Sequence, residues 1–421
     1  MDLEAVEMLV RESMHRAGSA ALSHLLNEGP PEARTIPCSC GQAARYKELR
    51  SKPVLTVVGP VAYQRPYYVC AQCHHAPNPT DAALGVEQQE FSPGVRRMMA
   101  VVGSDAPFDQ GREQLELLAG LQVSTKSVER QAEQIGAEIM RIEQAEIQGS
   151  VQLQLPIPLG APIPVMYVEI DATGIPVVKK ETQDRIGKVE GQPAHTREVK
   201  LGCVFTSVGV DAENRPLRDQ ASTTYTGAIE TAGEFARRIY REAYQRGWPR
   251  ARTRVVLGDG AIWIWNLAAE QFPGAILIVD FYHACEHLHK VSRWLYPGDE
   301  AARRGWTVSA VDLLDKGEIE TLVTVVRALV SERPELAEKL ATEAEYFERN
   351  AAKMRYPDFR AQGLFVGSGV IEAGCKTVIG SRLKQSGMFW TVQDANRIIA
   401  LRCCRISGKF EDFWETARPA A

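Results

Sequence analysis

Near the middle of the chain, three short apolar runs each close on an aspartate: VMYVEID (165–171), VVLGD (255–259) and ILIVD (276–280). Apolar runs this short, separated by stretches of helical periodicity, read as buried strands of an α/β domain. In such sheets the carboxyl ends of the strands form the crevice where ligands collect, so the pattern puts acids at the lip of a mixed sheet. Strands are expected over 164–170, 199–210, 254–258 and 275–279, with a helix over 228–246 and another between the last two strands.

At 421 residues the chain exceeds the size at which a single core usually stops growing, and its periodicity changes several times. Residues 1–30 read as an N-terminal amphipathic helix (3–27) ended by Pro30-Pro31. A small β module spans 31–82, with strands near 54–58 and 63–69 and a turn at Gly59-Pro60. Helical pattern fills 83–150, and a Pro-rich stretch, 151–164, serves as linker. The α/β core then runs over 165–280, an all-helical segment over 281–362, and a last part of the core, with a glycine-rich entry and a C-terminal helix, over 363–421. Hydrophobic residues at 45% and charged residues at 24% are ordinary globular values, and no apolar run suits a membrane span. The start of the chain lacks the basic and apolar segments of a signal peptide, which predicts a cytoplasmic protein.

Nine cysteines in such a chain direct attention to spacing rather than to disulfides. Cys38-x-Cys40 and Cys70-x-x-Cys73, separated by a hairpin-length segment, predict a zinc-ribbon-like module with a closed four-thiolate site; His74 or His75 could replace one ligand. C-x-C is tighter than the more common C-x-x-C. Downstream, LAGLQVSTKSVERQAEQI (118–135) has a helix end, a Gly120 turn and Ser124 placed to cap a second helix, which is helix-turn-helix spacing. That second helix would offer Thr125, Lys126, Ser127, Glu129 and Arg130 to a DNA groove, or serve as a packing unit only.

Asp171 and Asp259 are expected at the ends of neighbouring strands, about 5 Å apart, a spacing that suits a shared metal. Glu372, in GSGVIEAGCK (367–376), would complete the site from a helix start. Three carboxylates make a hard, oxygen-rich set selective for magnesium or manganese. Asp280 also ends a strand. If the order is three antiparallel strands, helix, strand, helix, strand, the Asp259 strand lies beside the first and the Asp280 strand one further out, too far to share the ion.

VEIDATG, VVLGDGAIWIW, DFYHACEHL and GSGVIEAGCK, followed by SRLKQSGMFW (381–390), resemble the ISKra family of bacterial insertion-sequence transposases, which are similar to the Mutator-like transposases. The resemblance spans nearly the whole chain. It implies an RNase H-like catalytic domain with a long helical insertion, and an Asp-Asp-Glu triad of Asp171, Asp259 and Glu372. Asp280, His283, Cys285 and His287 then form a supporting motif. It also implies double-stranded DNA, as element ends and target, for a substrate and a nucleoid-associated place in a bacterial cell. Cutting two ends and joining them to one target makes a homo-oligomer, a dimer on DNA, the expected working form. Two metal ions would clamp an in-line displacement at phosphorus without a covalent enzyme intermediate.

Two other readings stay open. His283-x-x-Glu286-His287 matches the inverted zinc-peptidase pattern, with Glu372 as a third ligand. A DNA-binding regulator that has lost catalysis would keep the zinc and helix-turn-helix modules. Charge is uneven along the chain: 237–254 holds seven arginines against Glu242, 376–409 holds seven basic residues against Asp394, and 312–349 holds ten acids against five bases. The basic stretches predict phosphate contacts or solvated helix faces, with Lys376, Arg382 and Lys384 near the site. Trp390 is placed to stack on a base or to pack in the core.

Overall fold

The computed structural model describes residues 2–28, 33–152, 155–156, 158–183, 185–187 and 194–416. The expected Pro30-Pro31 break, part of the Pro-rich stretch and the last five residues lie outside them. The chain forms two compact units, one of Met1–Glu138 with Lys409–Ala421, the other of Ile139–Gly408. The division falls inside a helix rather than at the Pro-rich stretch. No helix among the described residues is long and apolar enough to cross a membrane.

In the first unit, α1 (Leu3–Asn27) has no fully buried residue. Strands β1 (Thr35–Pro37), β2 (Ala43–Thr56) and β3 (Gly59–Cys70) form an antiparallel sheet in that order. Thr56 pairs with Gly59, so Val57-Val58 is the hairpin loop and the expected Gly59-Pro60 turn instead opens β3. Gly59 takes φ +108°, which favours glycine. Helices α2 (Pro79–Ala83), α3 (Pro93–Asp105), α4 (Phe108–Ala119) and the start of α5 (Thr125–Val151) follow. Val95, Met99, Leu115, Leu121 and Val128 make their common core. Left-handed Gly120 ends α4, and the Ser124 hydroxyl accepts from the Ser127 N–H at 3.1 Å, as the sequence predicts.

The second unit is a mixed α/β domain. Its elements are β4 (Ile163–Pro176), β5 (Thr196–Val210), β6 (Pro216–Arg218), β7 (Thr224–Ala228), α6 (Ala232–Gln245), β8 (Ala251–Gly258), α7 (Ile262–Gln271) and β9 (Ile276–Val279). The sheet order is β6-β5-β4-β8-β9, with β7 also paired to β5. β4 and β5 are antiparallel, whereas β4, β8 and β9 are mutually parallel. The Asp259 strand therefore lies beside the Asp171 strand, and the Asp280 strand one further out. Helices α8 (Phe281–Leu295), α9 (Glu300–Asp315), α10 (Ile319–Glu332), α11 (Ala337–Asn350) and α12 (Tyr356–Ala361) fill the expected helical segment. There Val291, Leu295 and Leu340 form a separate small core.

The chain returns to the sheet through α13 (Gly369–Gly374), a π-helical stretch (Cys375–Gly380), α14 (Ser381–Leu383) and α15 (Val392–Ile406). The final helix, α16 (Phe410–Thr416), belongs to the first unit rather than to the core as expected, and there Glu411 pairs with Arg97.

Candidate active site

Asp171 sits in mid-strand, not at a strand end as the sequence suggested. β4 continues to Pro176 because β5 pairs with it that far, while the parallel partner β8 stops at Gly258, opposite Ile170. The residue after each member of that last pair is an aspartate, Asp171 on one strand and Asp259 on the other, at the point where the two strands part. Two glycines flank Asp259. At Gly260 the backbone takes φ +93°, and a Cβ there would lie 2.7 Å from the Tyr346 ring, whose hydroxyl donates to the Asp259 carbonyl at 2.9 Å. The tight exit from β8 therefore depends on glycine at this position.

Asp171, Asp259 and Glu372 line one cavity of about 560 Å³, shared with Tyr282, His283 and Glu286 of α8. Burial pushes the Asp171 carboxyl above its usual range, and the charge of Asp259 adds to the shift. One Asp171 oxygen accepts from the Ala172 N–H at 2.7 Å and the other faces the Cys375 thiol at 3.3 Å. An oxygen-only donor set holding two neighbouring acids, one with its charge disfavoured, fits a hard divalent cation. The three carboxylates are not gathered like a single closed site: among the described residues the cysteine cluster alone brings three or more ligand atoms within 4.8 Å of one another. Two ions about 4 Å apart accept a wider ligand spread than one ion does.

Two buried carboxylates hold Glu372 in place, and the sequence pointed to neither role. Asp280 is 1% exposed; one of its oxygens accepts from the His283 N–H at 2.5 Å, capping α8, and the other accepts from the Ser368 N–H just before α13. Glu169, fully buried on the same face of β4 as Asp171, accepts from the Ile371 N–H at 2.9 Å, and its other oxygen has no partner among the described residues. Burial pushes the Glu169 carboxyl up to about 8. The first turn of α13 is thus fastened from two strands, and the Ser368 hydroxyl reaches Glu372 at 3.1 Å. Strand alternation was the available signal for Glu169, since it stands two residues before Asp171.

Of the remaining supporting motif, His283 faces the cavity, while Cys285 is half-buried and its thiol is pushed up to about 11 by burial. His287 bonds Glu343 and stacks on Tyr346 with 3.8 Å between ring centres. These contacts make His287 a packing residue, and no metal-ligand group of three among the described residues includes the two histidines. Like the carboxylates, the histidines of the inverted zinc-peptidase pattern are not drawn into a closed metal site among the described residues, and His287 is engaged by Glu343.

The basic stretches also need correction. Arg238 and Arg241 are buried, the first paired with Glu143 at 2.9 Å and Glu230 at 2.7 Å, the second with Glu146 at 3.2 Å. Arg246, Arg250 and Arg254 donate to backbone carbonyls. Arg382 is fully buried beneath Trp390, which is itself buried and donates to the Leu383 carbonyl at 3.2 Å, so in this conformation neither reaches a DNA strand. The exposed aromatic is the neighbouring Phe389. Lys376 and Lys384 are exposed, Lys384 donating to Thr173 beside Asp171. On α5, Lys126 pairs with Glu129 at 2.9 Å and Thr125 donates to Asp109 at 2.7 Å, while Arg130 is exposed and Ser127 half-exposed.

The cysteines form a second candidate centre, in the first unit. Cys38 and Cys73 sulfurs lie 3.5 Å apart, Cys40 and Cys70 sulfurs 3.6 Å, and all four fall within 4.8 Å. A tetrahedron with Zn–S bonds of about 2.3 Å requires about 3.8 Å between sulfurs, so the four thiols fit zinc. The backbone N–H of Cys40 lowers the Cys38 thiol to about 6, and that of Cys73 lowers Cys70. The short C-x-C spacing works because the chain turns at once, with the Gly41 N–H donating to the Cys38 carbonyl at 2.9 Å.

No family model matches the sequence. The chain is 25% identical over 388 residues to a Streptococcus gallolyticus protein described as the UPF0236 protein in the vanSb 3′ region, covering 90% of this chain and 78% of that one. Among solved structures, a chain of the Drosophila P element transposase strand transfer complex aligns with 81% of this chain and 85% of its own, at 9% identity and a TM-score of 0.26. A score that low carries no argument about fold or function.

Proposed function

We propose that the chain is a DNA transposase of the Asp-Asp-Glu type, with an RNase H-like core that cuts DNA at insertion-sequence ends and joins the freed ends to a target. The observation that supports this most directly is the meeting of Asp171, Asp259 and Glu372, far apart in sequence, around one cavity open to solvent. In this reading the three carboxylates would hold two magnesium or manganese ions, which supply a clamp on the attacking and leaving oxygens of an in-line displacement at phosphorus. Asp171 and Asp259 fix the floor of the cavity from adjacent strands. Glu372 closes it from α13, its position set by the Glu169 and Asp280 bonds to the helix start. In the same reading Lys376 and Lys384, exposed beside the cavity, would contact phosphates, and Arg130 would contact DNA from α5.

The testing experiment is cleavage of labelled duplex DNA carrying the sequences that flank the gene, with magnesium. Asp171→Asn, Asp259→Asn and Glu372→Gln should each abolish cleavage and leave DNA binding intact. Substantial cleavage by all three would defeat the assignment. A wild-type chain that binds DNA without cutting it in any divalent metal would instead support the regulator reading. Asp280→Asn, which keeps one acceptor oxygen, should retain measurable cleavage.

A further inference from the structure

The carboxylate cavity uses only the first half of α8. Along that helix Tyr282, Glu286, His289 and Arg293 follow at intervals of four, three and four, which keeps them on one stripe, and all four are exposed. Tyr282 and Glu286 line the carboxylate cavity. His289 and Arg293 line a second cavity of about 800 Å³, walled on its other side by α9 with Arg303, Arg304 and Glu300. One helix face thus runs from the candidate catalytic cleft into a basic recess.

The cations of this recess differ from the buried arginines of α6. Arg238 and Arg241 are neutralised by buried glutamates. Arg293, Arg303 and Arg304 have no carboxylate partner among the described residues, and Glu300 is the one acid in the wall. Three unpaired guanidinium groups converging on one recess repel each other unless an anion joins them. Their planar donor forks match phosphate oxygens. From His283 to Arg293 the helix rises about 15 Å, the axial advance of roughly four to five phosphates along one strand of B-DNA.

We propose that the α8–α9 recess holds the sugar-phosphate backbone of the DNA flanking the bond in the carboxylate cavity, with Arg293, Arg303 and Arg304 as its phosphate contacts. The proposal rests on the DNA-cleaving reading and names where that substrate continues beyond the cut.

The test is equilibrium binding of the full chain to a fluorescein-labelled duplex of about 30 base pairs, followed by anisotropy from 50 to 200 mM salt. The Arg293→Ala/Arg303→Ala/Arg304→Ala variant should bind about tenfold or more weakly at 100 mM salt. Its log–log salt slope should be shallower by about 2.7, since each lost phosphate contact removes roughly 0.9. The corresponding triple lysine variant should keep most of the slope. Unchanged affinity and slope in a folded alanine variant would overturn the recess assignment while wild-type cleavage leaves the transposase reading standing. A wild-type chain with no affinity for duplex DNA would overturn both. Loss of binding to poly-glutamate with DNA binding intact would also overturn it, assigning the recess to an acidic protein. If the triple variant does not fold, Arg293→Ala and Arg304→Ala, both at exposed positions, should each lower the slope by about 0.9, and unchanged slopes would overturn the assignment.

Discussion

The four thiols of the N-terminal module and the three carboxylates of the α/β unit are both ligand sets drawn from separate elements, but they stand at different stages of assembly. The sulfurs lie at 3.5 and 3.6 Å, close to their spacing around an ion, in turns fixed by backbone hydrogen bonds. The carboxylates share a cavity without converging to a single point. Clustered thiols share protons that metal displaces and so can sit in contact even where one of them, Cys38, is readily ionised, whereas adjacent carboxylates repel. In the proposed reading the closed sulfur site would be a fold element completed by an ion, and the open carboxylate site a work surface that takes ions and substrate reversibly.

The largest expected effect separates the two directly. Asp259→Asn should lower cleavage to below about one-thousandth of wild type with no loss of thermal stability, whereas Cys70→Ser should unfold the cysteine module, a cost on the order of 5 kcal/mol or more. Gel-based cleavage paired with calorimetry reads both, and a Cys70→Ser protein that melts like wild type would erase the contrast. Second, a brief EDTA treatment should stop cleavage reversibly while zinc stays bound by metal analysis. Protein purified without zinc yet folded over 33–83 would break the comparison from the other side.

Smaller effects sharpen the carboxylate half. Glu169→Ala leaves the Ile371 N–H buried and unpaired, which should cost about 1–3 kcal/mol and lower cleavage by loosening Glu372; Glu169→Gln keeps the acceptor and should restore most of both. Urea melts and cleavage rates on the two variants decide this. The last contrast is in pH. With its folded value raised to about 8, Glu169 binds more protons in the folded than in the unfolded chain from about pH 4.5 to 8. Its contribution is full below that window and is lost as pH rises through it. Metal-free Glu169→Gln should therefore show a shallower fall in stability across the window than wild type, and parallel curves would refute a protonated Glu169.

Much of this arrangement is readable from residue pattern. The apolar runs ending in Asp171, Asp259 and Asp280 announce parallel strands and their order, because buried strands need continuous apolar residues. The cysteine spacing announces its cluster. β7 escaped notice because TYTGA buries threonines and a glycine rather than a recognisable apolar run. Charge summed along the sequence misled most, since it counts Arg238 and Arg241 as surface although both are buried against glutamates outside the summed stretch, Glu143, Glu146 and Glu230. Arg382 shows the same limit, its burial following from tertiary packing under Trp390. Glu372 became legible only through resemblance, as a lone glutamate on a short helix has no spacing of its own.

The bonds at Asp280 also bear on how the α/β unit tolerates change. The Phe281 N–H donates to the Val366 carbonyl at 2.8 Å, and Asp280 accepts from Ser368, so the chain leaving the sheet and the chain returning to it are tied together at the neck of the helical segment. Beyond such a neck, added length costs little, because closing a loop grows more expensive only with the logarithm of its size. Length changes are therefore tolerated best in helices that touch neither the cavity nor Asp259, such as α9 and α10, whereas α8 is held to the site by Tyr282, His283 and Glu286 and α11 by the Tyr346 hydroxyl on the Asp259 carbonyl.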